Sequence, residues 1–370
     1  MIDSLAIKNF KNFQDFQIEG LGRVNLFTGK NNTGKSTLLE ALAIYFSGGD
    51  IKTLAEILLA RGEINDWQDR INSKKNSSVL RAASSLMYNR KISTKSNDTI
   101  FISPFDSDIA LDTAIKIGFV QTYDEKNGDG FISKILKDDS KLEEPFFVQH
   151  LLQIDYKGKK EYLPLEDGRF DLYVSKNTLK KVDIVQNIQF IRSITTNQRN
   201  DEVLWSKIAL TEKEDYVIRA LQIVEPTIER ITFVSDFSKE RTTVAKLSNS
   251  KEVVPLQSMG DGINRILSIT LAAVNAAGGV LLIDEFENGL HYTVQENLWK
   301  IIFELSKELD IQVFATTHSN DCIKGFEEVL NASESSGKLF RLEKKDDKII
   351  PVSYSEKELA IATDRDIETR

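Results

Sequence analysis

Gly29-Lys30-Asn31-Asn32-Thr33-Gly34-Lys35-Ser36 fits G-x-x-x-x-G-K-[ST] at every fixed position. Its setting matters as much as its spelling. The apolar run Val24 to Phe27 reads as a buried strand before it. After it, Lys35 to about Phe46 carries Leu38, Leu39, Leu42 and Phe46 on one helical face, and Gly48 and Gly49 end the pattern. Glycines let backbone N–H groups curl around phosphate oxygens, and the following helix aims its positive end at them. The expected result is a nucleotide cradle of Gly29, Asn31, Asn32, Thr33, Gly34, Lys35, Ser36 and Thr37. In it Lys35 neutralises the β- and γ-phosphates of ATP, and the Ser36 hydroxyl ligates Mg²⁺.

A second stretch completes that chemistry. Val280-Leu281-Leu282-Ile283-Asp284-Glu285 reads as a buried strand ending in two carboxylates. Ligands gather at the C-terminal edge of such a sheet, so Asp284 fits a metal role and Glu285 fits a general base for the attacking water. Ser258-Met259-Gly260-Asp261-Gly262 precedes a helix starting near Ile263, which makes another anion site. One chain already owns a cradle, so Ser258, Gly260 and Gly262 point to the γ-phosphate on a neighbouring copy. Thr316-Thr317-His318-Ser319 follows the strand Ile311 to Ala315. His318 at that strand end fits a hydrogen bond to the γ-phosphate, provided its strand lies beside both others.

Around these motifs the chain reads as α/β. Strands are expected at Ser4 to Ile7 and Phe13 to Ile18, then after residue 201 around Arg230 to Val234 and Arg241 to Leu247. Helices are expected near Val203 to Ile223, Ile263 to Ala277 and Val294 to Leu309. Lys338 to Val352 reads as a hairpin around Lys345-Asp346-Asp347. Alternating strands and helices predict a mostly parallel sheet covered on both faces. The middle is harder to read. Asp50 to Ala60 looks helical, Lys74 to Asp98 reads as a polar stretch, rich in Ser, Asn and Lys, with room for a loop, and short strands are expected at 114–120, 146–155, 170–174 and 188–191. The resulting division is 1–48 and 201–354 for two parts of one nucleotide-binding head, 49–200 for an inserted middle region, and 355–370 for a charged tail.

Bulk composition narrows the function classes. The 370 residues carry 48 Lys and Arg against 56 Asp and Glu, a formal net charge of -8. That balance argues against a surface that grips nucleic acid everywhere, and leaves room for one basic groove. A single cysteine, Cys322, excludes an intramolecular disulfide and a Cys-rich metal site. Leu271 to Ile283, the most apolar stretch, is interrupted by Asn275 and two glycines and is too short to span a bilayer. Met1 to Phe10 lacks the basic and apolar order of a secretory signal, so a cytoplasmic location is expected. Trp67, Trp205 and Trp299 read as core or interface, and Cys322 as packing.

The order of these motifs resembles the ABC-type ATPase heads of the SMC, RecF and OLD group. The stretches GKNNTGKSTLLEAL, SMGDGINRILSI, LLIDEFENGLH and FATTHSND are most similar to OLD-like ATPases. The resemblance covers residues 1 to about 48 and 230 to 354, and implies an ABC-type P-loop fold with an antiparallel β subdomain at its N-terminus. It implies that Ser258, Gly260 and Gly262 form a signature contacting ATP across a homodimer or higher homo-oligomer. It also implies that Asn288 to His291 form the loop between the paired heads and that His318 is the switch histidine. Lys11 stands where related heads place a basic residue near the α-phosphate, the alternative being a solvated turn lysine. The glutamine such heads place near the metal is not identifiable, with Gln121 and Gln149 both open.

Two departures shape the functional expectation. Met259 and Asp261 differ from the transporter-type signature, which argues against membrane transport. OLD proteins proper carry a metal-dependent nuclease domain after the ATPase, whereas Asp364-Arg365-Asp366 here reads as charged tail. The resemblance therefore implies a slow, regulatory ATPase that controls a separately encoded nuclease or toxin in anti-phage defence. The alternative is a RecF-like repair ATPase that binds DNA directly.

Overall fold

A computed structural model describes residues 1–63, 77–91, 98–105, 113–127, 130–135, 148–165, 187–193, 198–235, 241–332 and 336–354. Its centre is a six-stranded sheet. β3 (Val24–Thr28) pairs in parallel with β14 (Gln312–Thr316), which pairs in parallel with β13 (Val280–Ile283), and β13 pairs in parallel with β9 (Ile188–Ile191). On the other side of β3 lies β15 (Gly337–Lys345), also parallel, followed by antiparallel β16 (Lys348–Tyr354). The strand carrying Thr316 and leading to His318 thus lies between the cradle strand and the acidic strand, as its proposed chemistry requires.

Continuous apolar runs form these strands because both faces are covered. Leu281 and Ile283 face one core with Val24, Leu26 and Val313, while Val280 and Leu282 face another with Phe27 and Phe314. The first core holds α6 (Asp261–Asn275), α7 (Tyr292–Glu308) and α8 (Asn320–Ala332). The second holds α1 (Lys35–Phe46), α2 (Ile51–Ala60) and an antiparallel sheet. Trp205 and Trp299 are buried in the first core, as is Cys322, whose thiol is pushed up by burial. Trp67 and Asp364 to Asp366 lie outside the described residues.

The middle of the chain continues the sheet begun at the N-terminus. β1 (Ser4–Phe10) and β2 (Phe13–Glu19) begin a sheet that β4 (Ile100–Ser103), β5 (Ile115–Asn127), β7 (Val148–Tyr156) and β8 (Lys159–Pro164) extend, with β6 (Gly130–Ile135) on β5. The key join is Ile7 opposite Ile102, a pairing between residues far apart in sequence. The polar stretch 74–98 also contains α3 (Ser77–Ser84), which buries Ala82 and Ala83. The expected strand at 170–174 lies outside the described residues.

The helix expected over 203–223 is two, α4 (Gln198–Ser206) and α5 (Lys213–Leu221). The break sits at Leu210, which takes φ 64° and is 98% exposed. There the Leu210 N–H donates to Glu214 and the Thr211 hydroxyl donates to the Ile208 carbonyl, a side-chain alternative to the helical ladder. β10 (Ile228–Ser235), β11 (Arg241–Leu247) and β12 (Val253–Pro255) then form a small antiparallel sheet that delivers the chain to α6. Among the described residues no helix is long and apolar enough to cross a membrane.

α4 is tied to α6 by a buried hydrogen bond from the Ser268 hydroxyl to Asp201, 2.6 Å. Burial pushes the Asp201 carboxyl up to about 6, against the Ser268 bond and the Arg265 charge. Between the ordinary value of 3.8 and about 6 the folded chain therefore binds more protons than the unfolded one, so this group removes stability as pH rises through that window. Asp201→Asn keeps an acceptor for Ser268 and carries no charge. Its unfolding free energy from urea titrations should gain on the wild type between pH 4 and pH 6, by on the order of 2 kcal/mol, and then hold that lead. A lead that shrinks with rising pH would show that Asp201 is stabilised as the anion.

Candidate functional site

The turn from β3 into α1 is bent by left-handed residues: Gly29 at φ 138°, Asn32 at 64° and Gly34 at 89°. Two of them also admit no side chain. A Cβ at Gly29 would meet the Leu342 carbonyl oxygen at 2.4 Å, and one at Gly34 would meet Asn12 and the Phe13 ring at 2.9 Å. The turn is thus wedged between β15 and the β1–β2 turn, which fixes the direction of its N–H groups. Thr33 and Thr37 are buried in it, while Asn31 and Asn32 are exposed at its tip. The Lys35 ammonium donates to the carbonyls of Gly29 (2.6 Å) and Lys30 (2.9 Å). Burial lowers that ammonium to about 8, opposed by the charges of Asp284, Glu287 and Glu285.

The ends of three parallel strands meet this turn. The Ser36 hydroxyl donates to Asp284 Oδ1 (3.0 Å), and the Thr316 hydroxyl donates to the same oxygen (2.7 Å). Thr316 also accepts the Glu285 N–H (2.9 Å), so one side chain at the end of β14 holds both acids. Glu285 takes φ 51°, a conformation costing a non-glycine residue on the order of 1 kcal/mol or more. Phe286 stacks on Trp299 with ring centroids 3.8 Å apart, anchoring the turn in the core. Glu287 accepts the Thr317 hydroxyl (2.8 Å) and the His318 N–H (2.7 Å). Burial, and next Lys35, push the His318 imidazole below its ordinary value, so it is neutral at pH 7.

The donor set suits a hard divalent cation. Ser36 and Asp284 offer one hydroxyl and one carboxylate oxygen already in contact. Mg²⁺ commonly takes one or two protein oxygens and completes its shell with water and phosphate. Among the described residues no group of three or more His, Cys, Asp and Glu could hold a metal by itself. The acids also oppose a naked polyphosphate, with Asp284, Glu285 and Glu287 acting on the one lysine.

Lys11 is at a different task from a solvated lysine. Its ammonium meets Glu40 at 2.7 Å, and Glu40, fully buried on α1, also receives Arg61 at 2.8 Å with Arg192 at 3.9 Å. Burial lowers the Lys11 ammonium while Glu40 raises it. Lys11 and Asn12 share a cavity of about 800 Å³ with Asn32, Thr37, Tyr88 and Arg90. The Asn12 side-chain oxygen is buried there without a partner.

Ser258 and Gly260 lie on an exposed turn before α6. The Ser258 hydroxyl donates to the Pro255 carbonyl (2.7 Å), and Gly260 takes φ 97° with open space where a side chain would stand. A Cβ on Gly262 would meet the Gly289 carbonyl oxygen at 3.0 Å, so this turn abuts the Asn288–His291 turn. The structure therefore joins Lys35, Ser36, Asp284, Glu285 and His318 in one place, and sets Ser258, Gly260 and Gly262 beside the 288–291 turn. Gln121 and Gln149 stand on β5 and β7, one residue out of register with each other. Sequence reasoning missed Thr316, Glu287, Glu40 and Arg265 as site residues. For Glu40 a signal existed, a lone carboxylate inside the otherwise apolar run Leu38 to Phe46.

Residues 24–321 match a protein family described as "AAA domain, putative AbiEii toxin, Type IV TA system". The chain is 28% identical over 374 residues to the ATP/GTP phosphatase of Helicobacter pylori, covering 96% of this chain and 95% of that one. It is 29% identical over 68 residues to the DNA replication and repair protein RecF of Heliobacterium modesticaldum, 18% of this chain and 17% of that one. Among solved structures it is similar to an SMC head bound to the C-terminal winged-helix domain of ScpA, with TM-score 0.49, 14% identity, and 96% and 98% of the two chains covered.

Proposed function

The chain belongs to this AAA-domain family, and from that premise we propose that it hydrolyses ATP in a pocket closed by a second copy of itself. The contact of Ser36 with Asp284, with Glu285 held alongside by Thr316, carries the reading. The β- and γ-phosphates lie along the N–H groups of residues 29–36, and Lys35 turns from the Gly29 and Lys30 carbonyls toward them. Ser36 and Asp284 would hold Mg²⁺, which would supply neutralisation of phosphate charge. Glu285 takes a proton from the attacking water as the water oxygen bonds to the γ-phosphorus. The bond from that phosphorus to the β-bridging oxygen breaks, leaving ADP and inorganic phosphate. His318, neutral at pH 7, contacts the γ-phosphate and senses its loss. The nucleoside occupies the cavity that Asn32, Thr37 and Lys11 line, and Lys11 turns from Glu40 to serve the α-phosphate.

Ser258, Gly260 and Gly262 have no such partner within one chain, and their exposed turn at a helix N-terminus suits the γ-phosphate on a paired copy. Hydrolysis is slow because the pocket is complete only in the pair. The pairing serves as a sensor and scaffold for a separately encoded nuclease or toxin in anti-phage defence. A family described by a two-component toxin system fits a chain that works with a second protein. Sedimentation tests the pairing: with ATP the wild type should form a dimer or larger ring, and Ser258→Arg should stay a monomer. An unchanged wild-type sedimentation coefficient on adding ATP would remove the composite pocket.

A further inference from the structure

Arg265 is buried, 4% exposed, in the second turn of α6. A fully desolvated guanidinium is costly unless its N–H groups are used. Here one terminal nitrogen donates to the carbonyls of Asp284 (2.8 Å) and Glu285 (3.0 Å), and the other donates to the carbonyl of Arg192 (3.1 Å). The two carbonyls belong to the turn that carries the metal-holding acid and the base. The Glu285 φ of 51° needs such outside restraint to persist, because the relaxed chain would leave it.

The same helix begins at Gly260, and Gly262 and Arg265 lie three residues apart on one face of it. That face meets the 288–291 turn at Gly289 and the catalytic turn at Asp284 and Glu285. One turn further along α6, three residues beyond Arg265, Ser268 is bonded to Asp201 of α4, which ties the helix to its neighbour. The guanidinium is thus a direct link from α6, whose first turn carries Gly262, to the backbone of the turn that carries the carboxylates.

We infer that Arg265 is a positioning residue that locks the backbone of Asp284 and Glu285 and couples it to the Ser258–Gly262 turn on the same helix. This rests on Glu285 acting as the base. When a neighbour's γ-phosphate seats on the signature turn, the receiving protomer's own base is brought to its working geometry. The two pockets of a pair are then linked by a side chain that touches neither nucleotide.

The test uses the full chain in three forms. Arg265→Lys keeps the charge and loses the planar fork. Its kcat should fall on the order of 100-fold with KM for ATP within about threefold, because a small misplacement of the base costs rate and not ground-state binding. The Hill coefficient for ATP should fall to about 1 with it, a readout that loss of stability alone would not move. Arg265→Ala should regain activity in millimolar guanidinium chloride and not in ammonium chloride. If Arg265→Lys is folded and turns over within about twofold of wild type while Glu285→Gln is inactive, the inference fails and the assignment of the base stands. If neither substitution slows hydrolysis, the assignment of the base fails first. If Arg265→Lys does not fold, absence of guanidinium rescue in folded Arg265→Ala overturns the inference.

Discussion

Glu285→Gln is expected to lower kcat by 10² to 10³-fold, on the order of what a positioned general base contributes, while ATP still binds. The amide has the shape of the carboxylate, so the Thr316 hydroxyl can still accept the N–H of residue 285 and the turn can keep its left-handed backbone. What disappears is the acceptor for the water proton. The substitution also removes one of three carboxylates acting on Lys35, so repulsion of the incoming triphosphate drops and affinity should rise a few-fold. Tight binding with blocked hydrolysis traps the paired state, and the trapped species should survive gel filtration with ATP bound. Single-turnover hydrolysis and the nucleotide content of the eluted peak measure both halves. Rapid single-turnover cleavage by the variant would mean that another group takes the proton.

Lys35→Ala is expected to act at the earlier step, raising the Kd for ATP by on the order of 100-fold, about 2.7 kcal/mol. Among the described residues the ammonium is the one cation hydrogen-bonded to the carbonyls at the start of the cradle, and the nearby acids remain when it is removed. Little folding energy should be lost with it. Burial lowers this ammonium to about 8, so it stays mostly charged at pH 7 but holds its proton less tightly in the folded chain than in the unfolded one, and its charge adds no stability to the fold. Thermal unfolding near the wild-type temperature, together with lost binding of a fluorescent ATP analogue, separates the two effects. A large drop in thermal stability would mean that Lys35 serves the fold more than the phosphates.

The legible parts of this chain were those whose physics is local. The run Val24 to Phe27, the eight residues after it and the helix beyond were readable because strand burial, glycine conformations and a helix N-terminus lie within one stretch of chain. Val280 to Glu285 was readable for the same reason. The pairing of Ile7 with Ile102 was not, since nothing in either segment names its partner across so long a separation. The split at Leu210 turned on one glutamate and one hydroxyl competing with a helix that every neighbouring residue could have continued.

Among the site residues, Lys35, Ser36 and Asp284 announced themselves through motif and setting. Thr316 was hidden in a motif read for its histidine, although its hydroxyl joins the two acids. Arg265 was hidden because a helical arginine usually reads as solvated, and only tertiary packing reveals two strand-end carbonyls aimed at it. Lys11 showed how a local reading can be incomplete: the turn exposed its position, and the carboxylate it meets came from α1.

Mixing two inactive proteins asks the central question most directly. Lys35→Ala lacks a working cradle and Ser258→Arg lacks a working signature, and each should be inactive alone. In a mixed pair one pocket carries both lesions while the other combines an intact cradle with an intact signature and can close over ATP, so the mixture should recover activity that neither protein has alone, with a ceiling of about a quarter of wild type set by random pairing of a two-fold dimer. Activity that stays at the sum of the two separate proteins would contradict a pocket built from two copies.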